Sequence, residues 1–458
     1  MFDSTTVFIV LGLLLVLVFS GMHVAIALGV TSAVGVYLVT GRDSVVLALI
    51  QNTFYDAIRD YIFAVIPLFM LMGEFIGRSG ATSDLYIGLQ RTFRRIPGRL
   101  ALATLFGNAI FAFVTGVSIA SATTFTRIAY PEMTKYGYSK SFSLGTIAGS
   151  GCLGMLIPPS VLMIVWGILT EQSIGKLFLA GVLPGLILTS LFAGYIIITA
   201  IVNPAAVGEA HKRKAQAAGS DITPGADIEI DEGPEISPRD MAVSGFGLVF
   251  LIVAVLGGIW AGLFTPTEAA GIGALIALSL ALIKGQRWPD IYEGILAVGR
   301  TAAPLLILLI AAQLYSRTMT MTGVVTAIQG FFDSAGLDPW AVITVMIIVW
   351  FVLGMIIDSV SIMLLTVPIF SPIAMAMGFD PLSFALIGIL AIEAGILTPP
   401  FGLLVYTVKA AIPDKSDPVT MLQIFKGSTP YWVLLLVLII LLYNYPGIVT
   451  YLPDVVFN

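Results

Sequence analysis

The sequence has few of the side chains that build disulfides, metal clusters and aqueous surfaces. Among 458 residues Cys152 is the only cysteine, so an intrachain disulfide and a cysteine-based metal cluster are both excluded. Only 11% of the residues are charged, and the net charge is −5. A soluble protein of this length does not carry so few charges, and no basic stretch points to nucleic acid as a partner. The composition favours a membrane protein.

Long apolar segments fill most of the chain instead. Hydrophobic residues make up 58% of the sequence. Segments of about 20 apolar residues recur, which is the length that a helix needs to cross a hydrocarbon core of roughly 30 Å. The pattern predicts an all-α polytopic membrane protein. Spans are expected near 5–20, 22–40, 61–77, 141–170, 179–202, 241–261, 262–283, 300–317, 381–411 and 429–446.

Two further apolar regions, 100–134 and 340–376, carry polar and small residues in their centres. The interruptions read TGVSIASATT at 115–124 and MIIDSVSIM at 355–363. Because a single span does not need such a break, each region is predicted to be a re-entrant helical hairpin that enters and leaves on one side. Residues 84–98 and 287–300 have the pattern of amphipathic helices on the inner membrane surface.

The one long polar stretch, 203–240, divides the chain into two parts of similar length. Its Pro, Gly and charge content is typical of a flexible linker. When the N-terminus is placed in the periplasm, nearly all Lys and Arg residues and this linker fall in the cytoplasm, as the positive-inside rule requires. The sequence therefore predicts a multi-pass protein of a bacterial inner membrane, with its first helix retained.

The parts before and after the linker share the order of their prolines and glycines. Shifting the first by 241 positions places Pro131 on Pro372, Gly137 on Gly378, Gly154 on Gly395, Leu156 on Leu397, Pro158 on Pro399, Pro159 on Pro400 and Leu162 on Leu403. The threading gives the two copies opposite orientations. We therefore predict an inverted repeat, with 1–202 (hairpin 100–134, broken helix 141–170) as one copy and 241–458 (hairpin 340–376, broken helix 381–411) as the other. Secondary transporters with this architecture bind their substrates where broken helices meet near the midplane.

Each proline pair is predicted to interrupt a membrane helix. Proline lacks an N–H and clashes with the carbonyl four residues earlier, so the carbonyls of Gly154, Met155, Gly395 and Ile396 lose their helical partners. Such oxygens suit Na⁺. The helix that restarts after the break presents N–H groups and a positive dipole end to a carboxylate. The predicted substrate-binding residues are Pro158, Pro159, Ser160, Val161, Pro399, Pro400, Phe401 and Gly402.

Capping residues distinguish the two breaks. Thr398 is suited to the N-cap position, with Pro399 as the first helical residue, whereas its counterpart Ile157 cannot cap. The first break is therefore expected to keep more unsatisfied N–H groups, and it is preferred for the substrate anion. Glu268 stands three residues after Thr265, which predicts a capping box with a structural role.

Oxygen-bearing side chains at the hairpin tips complete two predicted sodium sites. A single Ser or Thr in a membrane helix more often bonds to its own helix, so the argument rests on grouping. Acids within apolar segments are costly unless they are paired or bound to an ion. The first-half site is predicted to comprise Thr115, Ser118, Ser121, Thr123, Gly149, Ser150, Gly154 and Met155. The second-half site is predicted to comprise Asp358, Ser359, Ser361, Glu393, Gly395, Ile396 and Thr398.

Four stretches together resemble a known transporter family. They are PEMTKYGYS at 131–139, GCLGMLIPPS and TEQSIGKLFLAG within 151–181, GLFTPTEAA at 262–270, and FDPLSFALIGILAIEAGILTPPFG at 379–402. Through them the chain resembles the large membrane (M) subunit, DctM-like, of tripartite ATP-independent periplasmic (TRAP) transporters. The stretches spread over most of the chain in the family's order.

The resemblance implies a fold of the ion-transporter superfamily type and an elevator mechanism that imports an organic acid by sodium symport. It also implies a small four-helix membrane subunit, a periplasmic substrate-binding protein, and Na⁺ as coupling ion without other cofactors. The family's sodium sites carry over to 118–123 with 149–154 and to 358–361 with 393–398. Val117 and Ser361 depart from the small residue and the proline that the family often has there, so the oxygen set at each site stays open.

Three alternatives remain beside this interpretation. The nearest is a stand-alone sodium/carboxylate symporter of similar fold that needs no binding protein. A membrane enzyme, such as an intramembrane protease or lipid transferase, needs a nucleophile–base pair or metal ligands at membrane depth, and the sequence offers neither. A passive scaffold leaves the paired helix breaks unexplained.

Overall fold

The computed structural model describes residues 4–208 and 237–457, and these ranges fold into helices without a β-strand. Of the predicted linker, 209–236 lie outside the described residues, 203–208 form a turn with a Tyr138–Val207 bridge, and a helix begins at Pro238. The helices of the first half are α1 (Ser4–Phe19), α2 (Val24–Thr40), α3 (Asp43–Arg59), α4 (Val65–Arg78), α5 (Ala81–Thr92), α6 (Arg99–Thr115), α7 (Ser118–Lys135), α8 (Lys140–Gly151), α9 (Leu153–Leu156), α10 (Val161–Thr170) and α11 (Ile174–Val202).

The second half repeats this order of helices. It contains α12 (Pro238–Trp260, with a π-helical turn at Val253–Gly257), α13 (Pro266–Ile283), α14 (Trp288–Met321), α15 (Val324–Ser334), α16 (Pro339–Gly354), α17 (Ser359–Ala376), α18 (Pro381–Gly395), α19 (Leu403–Ala411), α20 (Met421–Asn444) and α21 (Gly447–Phe457). The predicted capping box at the start of α13 is confirmed, since Glu268 accepts a hydrogen bond from the backbone N–H of Thr265 at 2.8 Å.

Within 4–208 and 237–457, eight helices are long and apolar enough to cross a membrane. They are Tyr61–Arg78, Lys140–Thr170, Ile174–Val202, Pro238–Trp260, Pro266–Ile283, Trp288–Met321, Ser359–Ala376 and Met421–Asn444. Three helices were not predicted, namely α3, α15 and α21. The expected surface helix at 287–300 is the first part of the continuous helix α14, because no breaker separates it from the following span.

The broken helix of the first half lies at the centre of the molecule. In the most apolar window of Lys140–Thr170, 94% of the residues are buried inside the protein, against 33% for Ile174–Val202. The outer helices expose large apolar side chains, among them Leu186, Phe246 and Leu275. Such a surface fits contact with lipid on the outside and a protein-packed centre around the breaks.

Helices of the two halves pack on each other reciprocally. Where a helix of the first half packs on a helix of the second, the equivalents of these two helices also pack on each other. In sequence, a shift of 241 positions places α2 close to α13 and α4 within α14. In space, α2 packs on α14 and, correspondingly, α13 packs on α4. The same exchange occurs at the centre, where α10 packs on α17 and α19 packs on α7. This reciprocal packing is what two copies related by an internal two-fold axis produce.

Candidate functional site

The first hairpin consists of α6 and α7, joined by a tight turn at Gly116–Val117. Gly116 adopts φ +60°, and a Cβ at this position would lie 2.6 Å from the carbonyl oxygen of Pro159. Its own carbonyl accepts a hydrogen bond from the N–H of Val161 at 3.1 Å. The hairpin tip therefore packs directly on the first break. The N–H of Val161, which the sequence predicts to face a substrate, is thus bonded to the hairpin in this structure.

The first break is buried and bridged by one side chain. Ser160 is the N-cap of α10 and accepts a hydrogen bond from the N–H of Met163 at 3.3 Å. Its hydroxyl donates to the carbonyl of Met155 at 2.5 Å, so a predicted sodium ligand has a protein partner. Pro158 and Pro159 are buried. The prediction that this break lacks a cap is wrong, since the helix begins after Ser160 rather than at Pro158.

The second break is more open and lacks a side-chain cap. Helix α19 begins at Leu403 after Gly402, whose φ is +52° and which has no side chain to cap with. Thr398 is not the cap, because its hydroxyl donates to the carbonyls of Ala394 and Gly395 at the end of α18. Pro399, Pro400 and Phe401 are exposed, Phe401 by 56%. The sequence favours the first break for the substrate anion because that break is expected to lack a cap. In the structure it is the second break that lacks a side-chain cap, so the preference is reversed.

The three remaining predicted carbonyl positions lie close to protein groups. The carbonyl of Ile396 accepts a hydrogen bond from the N–H of Leu404 at 3.2 Å. A Cβ on Gly154 would lie 3.1 Å from the backbone nitrogen of Ser118, and one on Gly395 would lie 2.7 Å from the Cα of Gly354. The glycines at these equivalent positions therefore let each broken helix approach a hairpin closely.

The hydroxyls of the first predicted sodium site fall into two groups. At the tip, Thr115 and Ser121 lie within hydrogen-bond distance, with 3.3 Å between their oxygens. Ser150 lies elsewhere, on α8, and donates to the carbonyl of Thr146 at 2.6 Å. Thr123 is half-buried on α7. A Cβ on Gly149 would strike the ring of Tyr431 at 2.1 Å, so this glycine makes room for an aromatic side chain.

Asn108 is a polar residue of this region that sequence reasoning missed. It is fully buried on α6, and its side-chain Nδ2 donates to the hydroxyl of Ser150 at 2.7 Å. Its Oδ1 has no hydrogen-bond partner. The signal in the sequence is a lone amide within the otherwise apolar arm Arg99–Thr115. A buried amide oxygen without a partner is uncommon and adds one more oxygen beside Ser150.

The tip of the second hairpin lies between α16 and α17. Asp358 is the N-cap of α17 and accepts a hydrogen bond from the N–H of Ser361 at 3.0 Å. The acid is half-buried, and Ser361 is buried. One carboxylate oxygen of Asp358 therefore caps a helix, whereas the sequence predicts only ion binding for this residue.

Glu393 links residues of the two predicted sodium sites. It is 1% exposed, in the last turn of α18 before the second break. Its Oε2 accepts a 2.6 Å hydrogen bond from Ser118 of the first hairpin, and its Oε1 accepts a 3.0 Å bond from Ser359 of the second. The thiol of Cys152 lies 3.7 Å from the backbone carbonyl oxygen of Glu393. Glu393 thus contacts both hairpin tips through its carboxylate and the first broken helix through its backbone oxygen.

The chemistry of these groups suits an alkali cation better than a transition metal. Among the described residues, no group of three or more His, Cys, Asp or Glu side chains could hold a metal ion. The oxygens at the tips and breaks are hydroxyls, backbone carbonyls and two carboxylates. Unwound backbone carbonyls coordinate Na⁺ in transporters with broken helices.

Asp417 connects the halves outside the apolar centre, in the loop between α19 and α20. It pairs with Lys140 at the start of α8 and accepts a hydrogen bond from the hydroxyl of Tyr130 on α7. Partial burial by itself raises the pKa of Asp417, but the hydrogen bonds from Lys140 and Tyr130 outweigh it, and the pKa lies below its ordinary value.

A polar cavity of about 240 Å³ lies beside the C-terminal end of α10. The guanidinium of Arg317 lines it but donates to Thr53 at 3.1 Å and to Asp56 at 3.2 Å. Asp60 and Glu171 add two more carboxylates to the lining. Because Arg317 is already paired and three acids line the same cavity, it does not suit an organic anion.

Comparison with known proteins gives a consistent result along nearly the whole chain. The profile of the family described as "Tripartite ATP-independent periplasmic transporter, DctM component" matches residues 11–448. The chain is similar to the C4-dicarboxylate TRAP transporter large permease protein DctM of Pseudomonas aeruginosa, with 30% identity over 93% of this chain and 94% of that protein. It is also 30% identical to the ectoine TRAP transporter large permease protein TeaC of Halomonas elongata, over 98% of both chains.

A solved structure resembles the fold without close sequence similarity. The Alcanivorax borkumensis YdaH transporter superposes with a TM-score of 0.62 over 90% of each chain, at 14% identity. At that identity the likeness concerns the fold alone.

Proposed function

The chain belongs to the DctM component family of tripartite ATP-independent periplasmic transporters, and we propose that it imports an organic acid by sodium symport as the translocating subunit. The observation that carries the proposal is the contact between two interrupted helices and two hairpin tips from opposite halves, joined at Glu393. Broken helices from inverted halves form substrate and ion sites in secondary transporters.

For sodium, we propose the oxygens around the two hairpin tips. The hydroxyls of Thr115 and Ser121 and the carboxylate of Asp358 lie at these tips, next to the breaks. Hydroxyls and carbonyls replace the hydration shell of Na⁺ without requiring a fixed geometry. The carbonyls of Met155 and Ile396 already accept hydrogen bonds, so they would take part in ion binding only by exchanging those partners.

For the substrate, we propose the second break. The N-terminus of α19 has no side-chain cap, and the neighbouring Pro399, Pro400 and Phe401 are exposed. Although the N–H of Leu404 bonds to the carbonyl of Ile396, this helix N-terminus has no side-chain cap, and its dipole favours a carboxylate. The buried, Ser160-capped first break then serves as the structural counterpart. The acid is unspecified, since the permeases similar to this chain carry names that differ in their substrate.

The proposed transport movement is of the elevator type. Hairpins α6–α7 and α16–α17 re-enter the membrane and travel with the broken helices, and the outer helices form the fixed part. The N-terminus lies in the periplasm and the segment at 203–240 in the cytoplasm, as the distribution of Lys and Arg requires. Family membership and the apolar helices fit a multi-pass inner-membrane protein.

The family also implies two protein partners, a small membrane subunit and a periplasmic binding protein. We propose that the first is a four-helix protein on the lipid-facing helices and that the second delivers the acid. The alternative, a stand-alone sodium/carboxylate symporter, is disfavoured because the relatives are permeases of TRAP transporters.

Uptake by proteoliposomes tests this function. The chain is reconstituted with its proposed membrane subunit and binding protein, and a panel of ¹⁴C-labelled organic acids is offered with and without an inward sodium gradient. We expect uptake only with the gradient and with the binding protein. Asp358→Asn should raise the sodium concentration for half-maximal uptake, whereas Ser279→Ala, on an exposed helix face, should not. Uptake that ignores sodium would refute the coupling.

A further inference from the structure

Ser118 and Ser359 occupy equivalent positions in the two halves. They differ by 241 residues, the same shift that relates the two proline pairs. Each is the first residue of the second helix of its hairpin, α7 in one half and α17 in the other. Both side chains are buried, with 1% of Ser118 and 8% of Ser359 exposed. An internal two-fold axis relates them.

Both equivalent serines bond to one carboxyl group. Ser118 donates to Oε2 of Glu393 at 2.6 Å, and Ser359 donates to Oε1 at 3.0 Å. The residue equivalent to Glu393 under the same shift is Cys152, and its sulfur lies 3.7 Å from the backbone oxygen of Glu393. A residue that contacts its own equivalent lies at the axis. Glu393 therefore serves both halves from the centre of the molecule.

A carboxylate at this depth ties the positions of the two tips together. A buried carboxyl group is costly unless hydrogen bonds satisfy its oxygens. If either serine moves away, one oxygen of Glu393 loses its donor, and the carboxyl group shifts relative to the other serine. The two hairpin tips thus share one partner, although they come from opposite halves of the chain.

We propose that Glu393 is a positioning residue that couples the two hairpin tips, so that an ion bound beside one tip changes the ion affinity beside the other. The inference rests on the proposed sodium-coupled function, since Ser118 and Ser359 border the two proposed sodium sites. A coupling of this kind is reciprocal and is measured as a change in one site's affinity when the other is altered.

Sodium titration of uptake in proteoliposomes tests the coupling. Glu393→Gln keeps the size of the side chain but has one acceptor oxygen in place of two. We expect its Hill coefficient for sodium to fall towards 1 and its half-saturating sodium concentration to rise about fivefold or more. The KM for the labelled acid at saturating sodium should stay near the wild-type value, which a merely misfolded variant would not maintain. Ser279→Ala serves as the matched control.

A double-mutant cycle of the two serines provides a second test, and its wild-type arm does not need a folded Glu393 variant. Ser118→Ala and Ser359→Ala should have non-additive effects on half-saturating sodium in the wild-type background, and additive effects where Glu393→Gln is present. Sodium-dependent uptake with additive serine effects and an unchanged Hill coefficient would overturn the coupling alone. Wild-type uptake that ignores sodium would instead overturn the proposed function, and the ion-linked coupling with it.

Discussion

The sulfur of Cys152 lies 3.7 Å from the backbone carbonyl oxygen of Glu393, and these two residues hold equivalent positions in the two halves of the chain. At the boundary between the two halves, Cys152 thus places a thiol where Glu393, its equivalent, places an acid. Both are buried, with 1% exposed. Two carboxylates at such a place would repel each other without solvent to screen them. One acid and one neutral side chain avoid this conflict.

The first prediction follows from this pairing. Cys152→Asp places a second carboxyl group at the axis, and we expect the free energy of unfolding to fall by about 3 kcal/mol, the cost of an uncompensated buried charge. Cys152→Ser keeps a small neutral side chain and should change stability much less. Thermal unfolding of the detergent-solubilised proteins measures both.

Replacement of Glu393, the acid already present beside Cys152, is the control for that prediction. Combined with Glu393→Gln, Cys152→Asp no longer adds a second carboxyl group beside the first. The double variant should therefore be more stable than Cys152→Asp alone. Equal stability of the single and double variants would show that the two positions do not sense each other's charge.

The second prediction concerns the crossing of α8 and α20. A Cβ on Gly145 would lie 2.1 Å from the backbone carbonyl carbon of Gly427, and a Cβ on Gly427 would lie 1.9 Å from the backbone oxygen of Ser141. Because backbone atoms block this space, Gly145→Ala should destabilise the protein by about 1–3 kcal/mol. Glycine allows such close crossings of membrane helices.

Gly194→Ala is the matched control for Gly145→Ala. It lies inside α11, and a Cβ there would meet nothing within 4 Å. We expect it to be neutral or slightly stabilising, since alanine favours a helix over glycine. If thermal unfolding in detergent gave the two variants equal stability, the close crossing of α8 and α20 would be contradicted.

Proline pairs and hairpin patterns in the sequence located the main features of the centre. Pro158 and Pro399 each begin a Pro-Pro pair, which removes two consecutive N–H donors, and both pairs mark breaks. Single prolines such as Pro131 and Pro184 instead lie within continuous helices. The polar interruptions at 115–124 and 355–363 coincide with the turns between α6 and α7 and between α16 and α17. These features depend on local chemistry, which a single sequence displays.

Caps and long-range contacts could not be predicted in the same way. The sequence predicts Thr398 as a cap because Pro399 follows it, but α19 begins only at Leu403. The bond from Ser118 to Glu393 joins residues 275 positions apart, and nothing local in either segment indicates it. The same holds for Asn108 and Ser150, which meet only when α6 packs on α8.

The third prediction concerns the cap within the first break. Ser160 accepts from the N–H of Met163 and donates to the carbonyl of Met155, so Ser160→Ala removes both bonds. We expect a loss of about 1 kcal/mol in the free energy of unfolding, the typical value of an N-cap. Ser160→Asn, which can still cap, should lose less. Thermal unfolding that ranked the asparagine variant below the alanine variant would contradict a capping role.

The last prediction is a pH dependence of stability through Asp417. Its pKa is below the ordinary value of 3.8, so its ionised form stabilises the fold at every pH above that value. As the pH falls below 3.8 and through the lowered pKa of the folded state, this contribution is lost. Asp417→Asn should be less stable than the wild type by about 1 kcal/mol at neutral pH, since it loses the pair with Lys140 and weakens the bond from Tyr130. Unfolding midpoints measured from pH 3 to 7 should therefore differ by a constant amount above about pH 4 and converge below it.

Asp240→Asn, which replaces an exposed acid on α12, controls for the loss of one negative charge. A difference between wild type and Asp417→Asn that widened towards pH 3 would contradict the sign of the shift.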